Sequence, residues 1–430
     1  MAKLSFLFEP FSIFFFVARS LCCPPYQKEA LRHFKFLLLG NSSFPYSSSS
    51  PVLFVVLLYQ KEALRHFKFL LLGNSSSISN MELYGNDNFT SDCCQWGLVG
   101  CTSQKVTHLH LSGLIPSLDL KKVVTSDVLA PLFHLQTLIS LDISKNDIHG
   151  EILRVGFANI SSLEYLDMDG NSFNGSLPPH LFSLWHLATI NLDYNLIHGS
   201  IPTQIGILSN LVAMSLYSNK ISGAIPPSLF HLKSTLSLLN PGGNKLVLRN
   251  VRISPRSMLH RLSLRSCNLA GQIPIWISNQ IKLFFLDLGL SPDTIGQANE
   301  MRILMLSGPT TFPLGIKVLV LSQNEFSHVL PQNLSNFNQL YYLDLRGNNI
   351  GGEIPDSLGG LKNLKSVNLS QNKFFGRIPL SFGDLESLES LDLSHNNLFG
   401  EIPYTLANLF ELSYLDLSKN KLEGCIPGGP

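Results

Sequence analysis

Side chains that could do chemistry are few in this sequence, and they are scattered. His108 and His110 stand two apart, so an extended strand carries both imidazoles on one face, as a metal pair does. No third ligand accompanies them, and a pair of solvent-facing histidines is the plainer reading. Carboxylates are frequent, but Asp142, Asp167, Asp287, Asp344, Asp392 and Asp416 each sit between two apolar residues, with a spacing that follows a repeat. There is no Gly-x-Ser-x-Gly, no His-Glu-x-x-His, no phosphate-binding glycine loop and no kinase motif set. The sequence predicts no catalytic site, no metal and no cofactor; its work is read as binding.

Thiols and sequons speak for compartment. Of the seven cysteines, Cys22, Cys23, Cys93, Cys94 and Cys101 precede the repeats, while Cys267 and Cys425 lie within them. An odd count leaves at least one thiol unpaired, and the cluster reads as disulfide chemistry in an oxidising compartment. Met1 to Lys3 is a short basic start, followed by the Phe-rich run Phe6 to Val17 and the small-residue stretch Ala18-Arg19-Ser20. Residues 1–21 are therefore expected to be a signal peptide, although Glu9 and Pro10 interrupt its apolar region. Export makes the Asn-x-Ser/Thr sequons meaningful: Asn41 and Asn74 match, and the glycosylation candidates are Asn88, Asn159, Asn174, Asn333 and Asn368. Lys plus Arg (31) nearly cancels Asp plus Glu (30), which leaves no basic footprint for nucleic acid. With 45% hydrophobic residues the chain is not disordered, and no later apolar run reaches the ~18 residues of a membrane span.

These residues are positioned by a repeat. Aligned on Leu-x-x-Leu-x-Leu-x-x-Asn, the asparagine falls at Asn146, Asn171, Asn195, Asn219, Asn244, Asn324, Asn348, Asn372, Asn396 and Asn420. Cys267 and Ser291 take its place in two further units; every step is 23 to 25 residues except one of 33, from 291 to 324. Alternation in Leu343-Asp344-Leu345 gives a short strand with leucines inward. At the turn a buried amide can satisfy backbone groups that have lost strand partners, so stacked copies form an asparagine ladder. Gly352, Gly376, Gly400 and Gly424 permit unusual φ, Ile-Pro re-enters the core and stops pairing, and the return path suits a short helical or 3₁₀ segment. One unit cannot bury its own leucines; neighbours do it for each other. Between Ser291 and Ile316 the pattern breaks. Met301 to Leu306 reads as a strand with no following asparagine, either a worn repeat or a short loop-out.

The Leu-x-Gly-x-Ile-Pro tail resembles plant-type, extracellular leucine-rich repeats, and residues 412–427 resemble those of plant receptor-like proteins. The resemblance implies an α/β solenoid, a right-handed leucine-rich-repeat superhelix with a concave parallel β-sheet and an N-terminal helical cap. It further implies that Cys94 pairs with Cys101 and that Cys93 reaches back to Cys22 or Cys23. Tyr26 to Ser43 recurs unchanged at Tyr59 to Ser76, and the second copy is expected to form the cap helix, with Ala63, Phe67 and Leu70 on one face. The expected organisation is then a signal peptide over 1–21, a loosely ordered, partly duplicated insertion over 22–58 and a cysteine-containing cap over 59–105. A solenoid of about twelve repeats follows over 106–427, and residues 428–430 read as a truncated end.

Variable residues beside the inward leucines are the candidate contact surface. They are Tyr165, Asp167, Asp169, Asn191, Asp193, Tyr194 and Tyr217, then a basic patch of His260, Arg261 and Arg265, then Tyr341, Tyr342 and Arg346. The recurring mid-strand aspartates also have a consensus role, which weighs against a ligand role for them. The resemblance implies a ligand-binding ectodomain at the cell surface or in the apoplast, taking an extracellular peptide, glycan or protein ligand and signalling through a membrane co-receptor or adaptor kinase, in defence or development. A secreted inhibitor of polygalacturonase and the ectodomain of a receptor kinase are the alternatives.

Overall fold

A computed structural model describes residues 60–67 and 93–426, except for 115–122, 154–155, 233–235, 249–254, 270, 273–274, 278, 290–300, 304–314, 333 and 335–336. The fold follows from how each repeat spends its residues. Three-residue strands such as Tyr165–Asp167, Thr189–Asn191 and Ala213–Ser215 pair in parallel, so that Leu166, Ile190 and Met214 lie side by side. Every one of these central side chains is at most 1% exposed. Stacked in this way, the strands build a 14-stranded sheet among the described residues, with only the first strand, Val99–Thr102, antiparallel to its neighbour Lys105–His110. Each buried leucine is worth about 2 kcal/mol, and none of that is available to a repeat standing alone.

Pairing resumes after the asparagine turn. Asn349–Glu353, Lys373–Gly376, Asn397–Glu401 and Lys421–Glu423 form part of a second, 7-stranded parallel sheet, and Lys220–Ala224 and Lys245–Leu248 belong to a 4-stranded one. The sequence reading expected only the concave sheet. Gly376, with φ 89°, lies in this second layer, where a Cβ would stand 2.9 Å from Glu353 Cγ.

The chain then returns through 3₁₀ turns. Proline begins them: Pro178, Pro202, Pro226, Pro355, Pro379 and Pro403 each accept the N–H three residues on, at 3.0 to 3.2 Å. A proline at the start of such a turn has no N–H to waste. Large side chains fill the space beneath, among them the fully buried Phe157, Phe182, Phe230 and Phe382.

The asparagine ladder holds the two layers in register. Asn195 Nδ2 donates to Met168 O (2.9 Å), Leu192 O (3.2 Å) and Asp193 O (2.9 Å), while its Oδ1 accepts Phe173 N–H at 3.0 Å. Asn146, Asn171, Asn219, Asn244, Asn324, Asn348, Asn372, Asn396 and Asn420 make the same three carbonyl contacts. At Cys267 only a long contact of 3.7 Å to Pro241 O remains. Ser291 lies outside the described residues.

The long step lies between two concave strands that are direct neighbours. Phe285–Asp287 pairs directly with Val318–Val320, so the concave sheet loses no strand and gains none. Within the intervening segment, Met301–Ile303 is a strand of the second sheet, between Gly271–Gln272 and Ser327–Val329. The expected strand is present over Met301–Ile303, in the second layer, and the rest of the segment, 290–300 and 304–314, lies outside the described residues.

At the N-terminal edge, residues 60–67 are helical and bury Ala63, Leu64 and Phe67 against the stack. Gln60 ties this turn to the sheet, accepting Val106 N–H at 3.0 Å and donating to Thr137 Oγ1 at 2.9 Å. Leu70 lies outside the described residues. Cys94 and Cys101 are joined by a disulfide beside the buried Trp96. Cys22 and Cys23, expected partners of Cys93, are also outside, as are residues 1–58.

Candidate binding face

Strand register sorts the concave side chains into rows that run across the sheet. One row holds Asp142, Asp167, Asn191 and Ser215, and continues at Asn240. The recurring aspartates in it have a turn-making duty: Oδ1 of Asp142, Asp167, Asp287, Asp344, Asp392 and Asp416 accepts the N–H two residues on, at 2.9 to 3.1 Å. Asn191 and Asn368 do the same for Asp193 and Ser370. Sequence reasoning assigned the aspartates to the consensus but missed this reason for it. Asp167 is occupied further, since its Oδ2 accepts from Tyr165 OH (3.1 Å) and Asn191 Nδ2 (3.2 Å). Asp167 and Asn191 therefore serve the scaffold first.

The next row, in the turn itself, is freer. Asp193 accepts Tyr217 N–H at 2.6 Å and Ser215 Oγ at 2.8 Å. Burial, helped by the nearby Asp169 and Asp167, nonetheless lifts its carboxyl to about 6. Asp169 is raised for the same reasons, burial first and Asp167 second, and its Oδ1 is buried with no hydrogen-bond partner. Tyr194 lies beside them with φ 49° and 58% exposure, edge-on to Tyr217 at 5.4 Å between ring centroids. The Tyr165–Tyr194–Tyr217 strip thus splits in two. Tyr194 and Tyr217 form a pair with Asp169 and Asp193, whereas Tyr165 is held by Asp167, and burial beside that carboxylate pushes its phenol up to about 12.

Positive charge begins three strands later. Arg261 is exposed and stacks over Phe285 at 4.8 Å, and His260 sits edge-on to Phe284 with its Nδ1 3.0 Å from Ser237 Oγ. Arg265 Nη1 approaches Asp287 Oδ2 at 3.7 Å, and Arg346 Nε approaches Asp344 Oδ2 at 3.5 Å. Burial raises both of these carboxyls, against the lowering effect of their backbone hydrogen bonds and the arginines. Tyr341, Tyr342 and Arg346 stand three strands beyond Arg261, through Phe285 and Val318, and so form a separate group.

Other sequence candidates fall elsewhere. His108 and His110 stack at 6.5 Å on one strand, and no group of three His, Cys, Asp or Glu side chains suited to a metal is gathered among the described residues. Asn159 and Asn174 are exposed, as a glycan acceptor must be. Asn368 is half-buried on a concave strand with Nδ2 bonded to Asp392 and Oδ1 to Ser370, which makes it a poor acceptor; Asn88 and Asn333 lie outside the described residues. No helix of the described residues is long and apolar enough to cross a membrane.

Comparison with known proteins agrees with this geometry. Leucine-rich-repeat family models match residues 134–155, 162–184, 258–280, 339–361 and 354–398. Receptor-like protein 46 of Arabidopsis thaliana is 32% identical over 178 residues, covering 40% of this chain; the match spans only 18% of that relative. Among solved structures, the plant peptide hormone receptor RGFR1 in complex with RGF2 has a TM-score of 0.58 at 32% identity, over 78% of this chain and 54% of the other. The ectodomain of the Arabidopsis receptor kinase HAESA, in complex with an extended IDA peptide hormone, has a TM-score of 0.60 at 27% identity, over 87% and 67%. In its repeats, its turn chemistry and its paired sheets, the chain has the leucine-rich-repeat solenoid fold and is similar to plant receptor-like proteins and receptor ectodomains.

Proposed function

We propose that this chain is ligand-binding ectodomain sequence of a plant cell-surface receptor-like protein, and that it recognises an extracellular peptide on its concave face. An extracellular glycan or a protein elicitor is the alternative ligand class. The observation that carries the reading is the contrast between two sets of residues on the same strands. Inward positions keep to Leu, Ile, Val and Met, while the outward positions from Tyr165 to Arg346 vary among aromatic and charged groups, of which Tyr165, Tyr194, Arg261 and Tyr341 are exposed and the other candidate contact residues half-buried. Such side chains cost solvation and little else unless something binds them, and Tyr and Arg are favoured in recognition. RGFR1 and HAESA carry peptide hormones on the same kind of solenoid, which supports a peptide here.

Binding rather than catalysis is our reading, and signalling then requires a partner kinase or co-receptor at the membrane. A signal peptide over 1–21, the helical cap within 59–105 and the solenoid to 427 complete the proposed organisation. The test is a Tyr194→Ala/Tyr217→Ala variant with an unchanged unfolding midpoint, measured against peptides selected on the parent protein from a display library. Binding should weaken by more than tenfold. Undiminished binding would remove the concave face from the proposal.

A further inference from the structure

Charge on the concave face is not mixed evenly; it changes sign over a short distance. In the turn row the order is Asp169, Asp193, Tyr217, Gly242 and Arg265, one residue from each successive repeat. Gly242 puts no side chain between Tyr217 and Arg265: a Cβ there would come within 3.0 to 3.2 Å of the Arg265 backbone and Cβ. Gly243 leaves room for the Tyr217 ring in the same way, at 3.3 Å. Three strand spacings of about 4.8 Å separate Asp193 from Arg265, roughly 14 Å, which an extended peptide crosses in about four residues.

The two ends of this span carry opposite charge that the fold satisfies only in part. At one end, the buried Asp169 Oδ1 has no partner, and the Tyr194 ring stands exposed beside it. A guanidinium fits that pair of features better than an ammonium does, because its plane can lie on a tyrosine face while its N–H groups reach carboxylate oxygens. At the other end, Arg261 is exposed, and its described contact is the Phe285 ring rather than a carboxylate. Arg265 is held only loosely by Asp287, at 3.7 Å.

We infer that the concave stretch from Asp169 to Arg265 is a two-charge receptor for an extended peptide carrying an arginine and, about four residues away, an acidic side chain. The arginine docks against Tyr194 and the Asp169–Asp193 carboxylates, and the acid docks on Arg261 and Arg265. This rests on the peptide-binding reading above and adds to it the chemistry of the ligand. The acidic end also titrates. Asp193 is faced by Asp167, Asp169, Tyr194 and Tyr217, with the Ser215 hydroxyl bonded to it, while Asp142 and Lys145 act on Asp169. An arriving cation favours the ionised form of Asp193, so the arginine contact strengthens as pH rises through about 6.

The experiment is selection of end-blocked decapeptides from a random display library on the full chain, at pH 7.5 and at pH 5. The expected result is enrichment of Arg and Asp or Glu at a separation of four residues, in either chain direction, with weaker Arg enrichment at pH 5. Two folded variants read the ends separately. Asp169→Asn should reduce Arg enrichment by about fivefold or more, and Arg261→Glu should exchange the acidic preference for a basic one. Enriched peptides with no charge spacing, or a preference untouched by Arg261→Glu, would overturn the two-charge receptor and leave peptide binding standing. Absence of any enrichment would overturn both this inference and the peptide-binding reading beneath it.

Discussion

A carboxamide at the end of each concave strand does what no hydrophobic side chain can. Asn372 Nδ2 serves Leu345 O, Leu369 O and Ser370 O, and its Oδ1 takes Ile350 N–H, all in the buried interior. Replacing it with alanine strips the buried Ile350 N–H of its acceptor and takes one of two donors from Leu345 O, Leu369 O and Ser370 O, which keep Asn348 Nδ2, Asn396 Nδ2 and Gly347 N–H, so Asn372→Ala should cost about 2 kcal/mol in urea unfolding. Cys267 shows the reverse: its thiol offers one weak bond, and burial, with Asp287 nearby, pushes it up to about 12. Cys267→Asn restores the ladder and should gain about 1 kcal/mol, a result that an unchanged or lowered midpoint would contradict. The ladder was legible because the asparagine recurs; Asp193 was named as a contact candidate, but its protonation was not legible, because it depends on neighbours one repeat away. Its folded carboxyl lies at about 6 against an ordinary 3.8, so the fold holds a proton that the unfolded chain releases. That contribution to stability is full below 3.8 and is lost as pH rises through about 6. Asp193→Asn should therefore flatten this stretch of the stability–pH curve, measured by urea midpoints between pH 4 and 7.

At the scale of elements, the repeat is a sandwich of a concave strand, a second strand and a 3₁₀ turn, and each layer sets its own residue limits. The 3₁₀ turns Asp356–Gly360, Leu380–Asp384 and Tyr404–Asn408 stack so closely that Gly359 and Gly383 have no room for a methyl group. A Cβ on Gly359 would sit 2.3 Å from Ser381 O, whereas one on the adjacent Gly360 would meet nothing within 4 Å. Gly359→Ala should cost about 2 kcal/mol and Gly360→Ala within about 0.5 kcal/mol of nothing, compared by thermal unfolding. Equal midpoints for the two variants would refute the close-packing account. The concave strand could be read from the sequence because leucines alternate with polar residues in it. The second layer could not: Lys373–Gly376 and Asn397–Glu401 pair backbone to backbone across the repeat, and the exposed Phe375 and Phe399 leave no clean alternation to find. Met301–Ile303 was legible as a strand, but not which sheet it joins, since its residue types suit either and only its partners assign it.

Over the whole molecule, a solenoid has no single core, so its weakest seam is where neighbouring repeats share the fewest polar links. From Asn146 to Asn244 the ladder is unbroken, as it is from Asn348 to Asn420. Between them, Cys267 and Ser291 supply no carboxamide, so the ladder lacks two successive rungs before Asn324, which makes the usual three contacts. The concave strands continue through this seam without loss, so the sheet holds the two halves together while the ladder does less. The proposed anion-binding residues Arg261 and Arg265 lie on the seam, and their acidic counterparts Asp169 and Asp193 lie in the well-laddered half before it. A peptide spanning both would therefore clamp the seam shut as it binds. Native-state hydrogen exchange should find the amides of 261–264 and 285–288 opening at lower free energy than those of 165–168 and 390–393, by about 2 kcal/mol. Cys267→Asn should narrow that difference, and so should a selected peptide at saturating concentration. Uniform protection along the concave sheet would show that the strands alone set local stability and that the ladder's gap has no consequence.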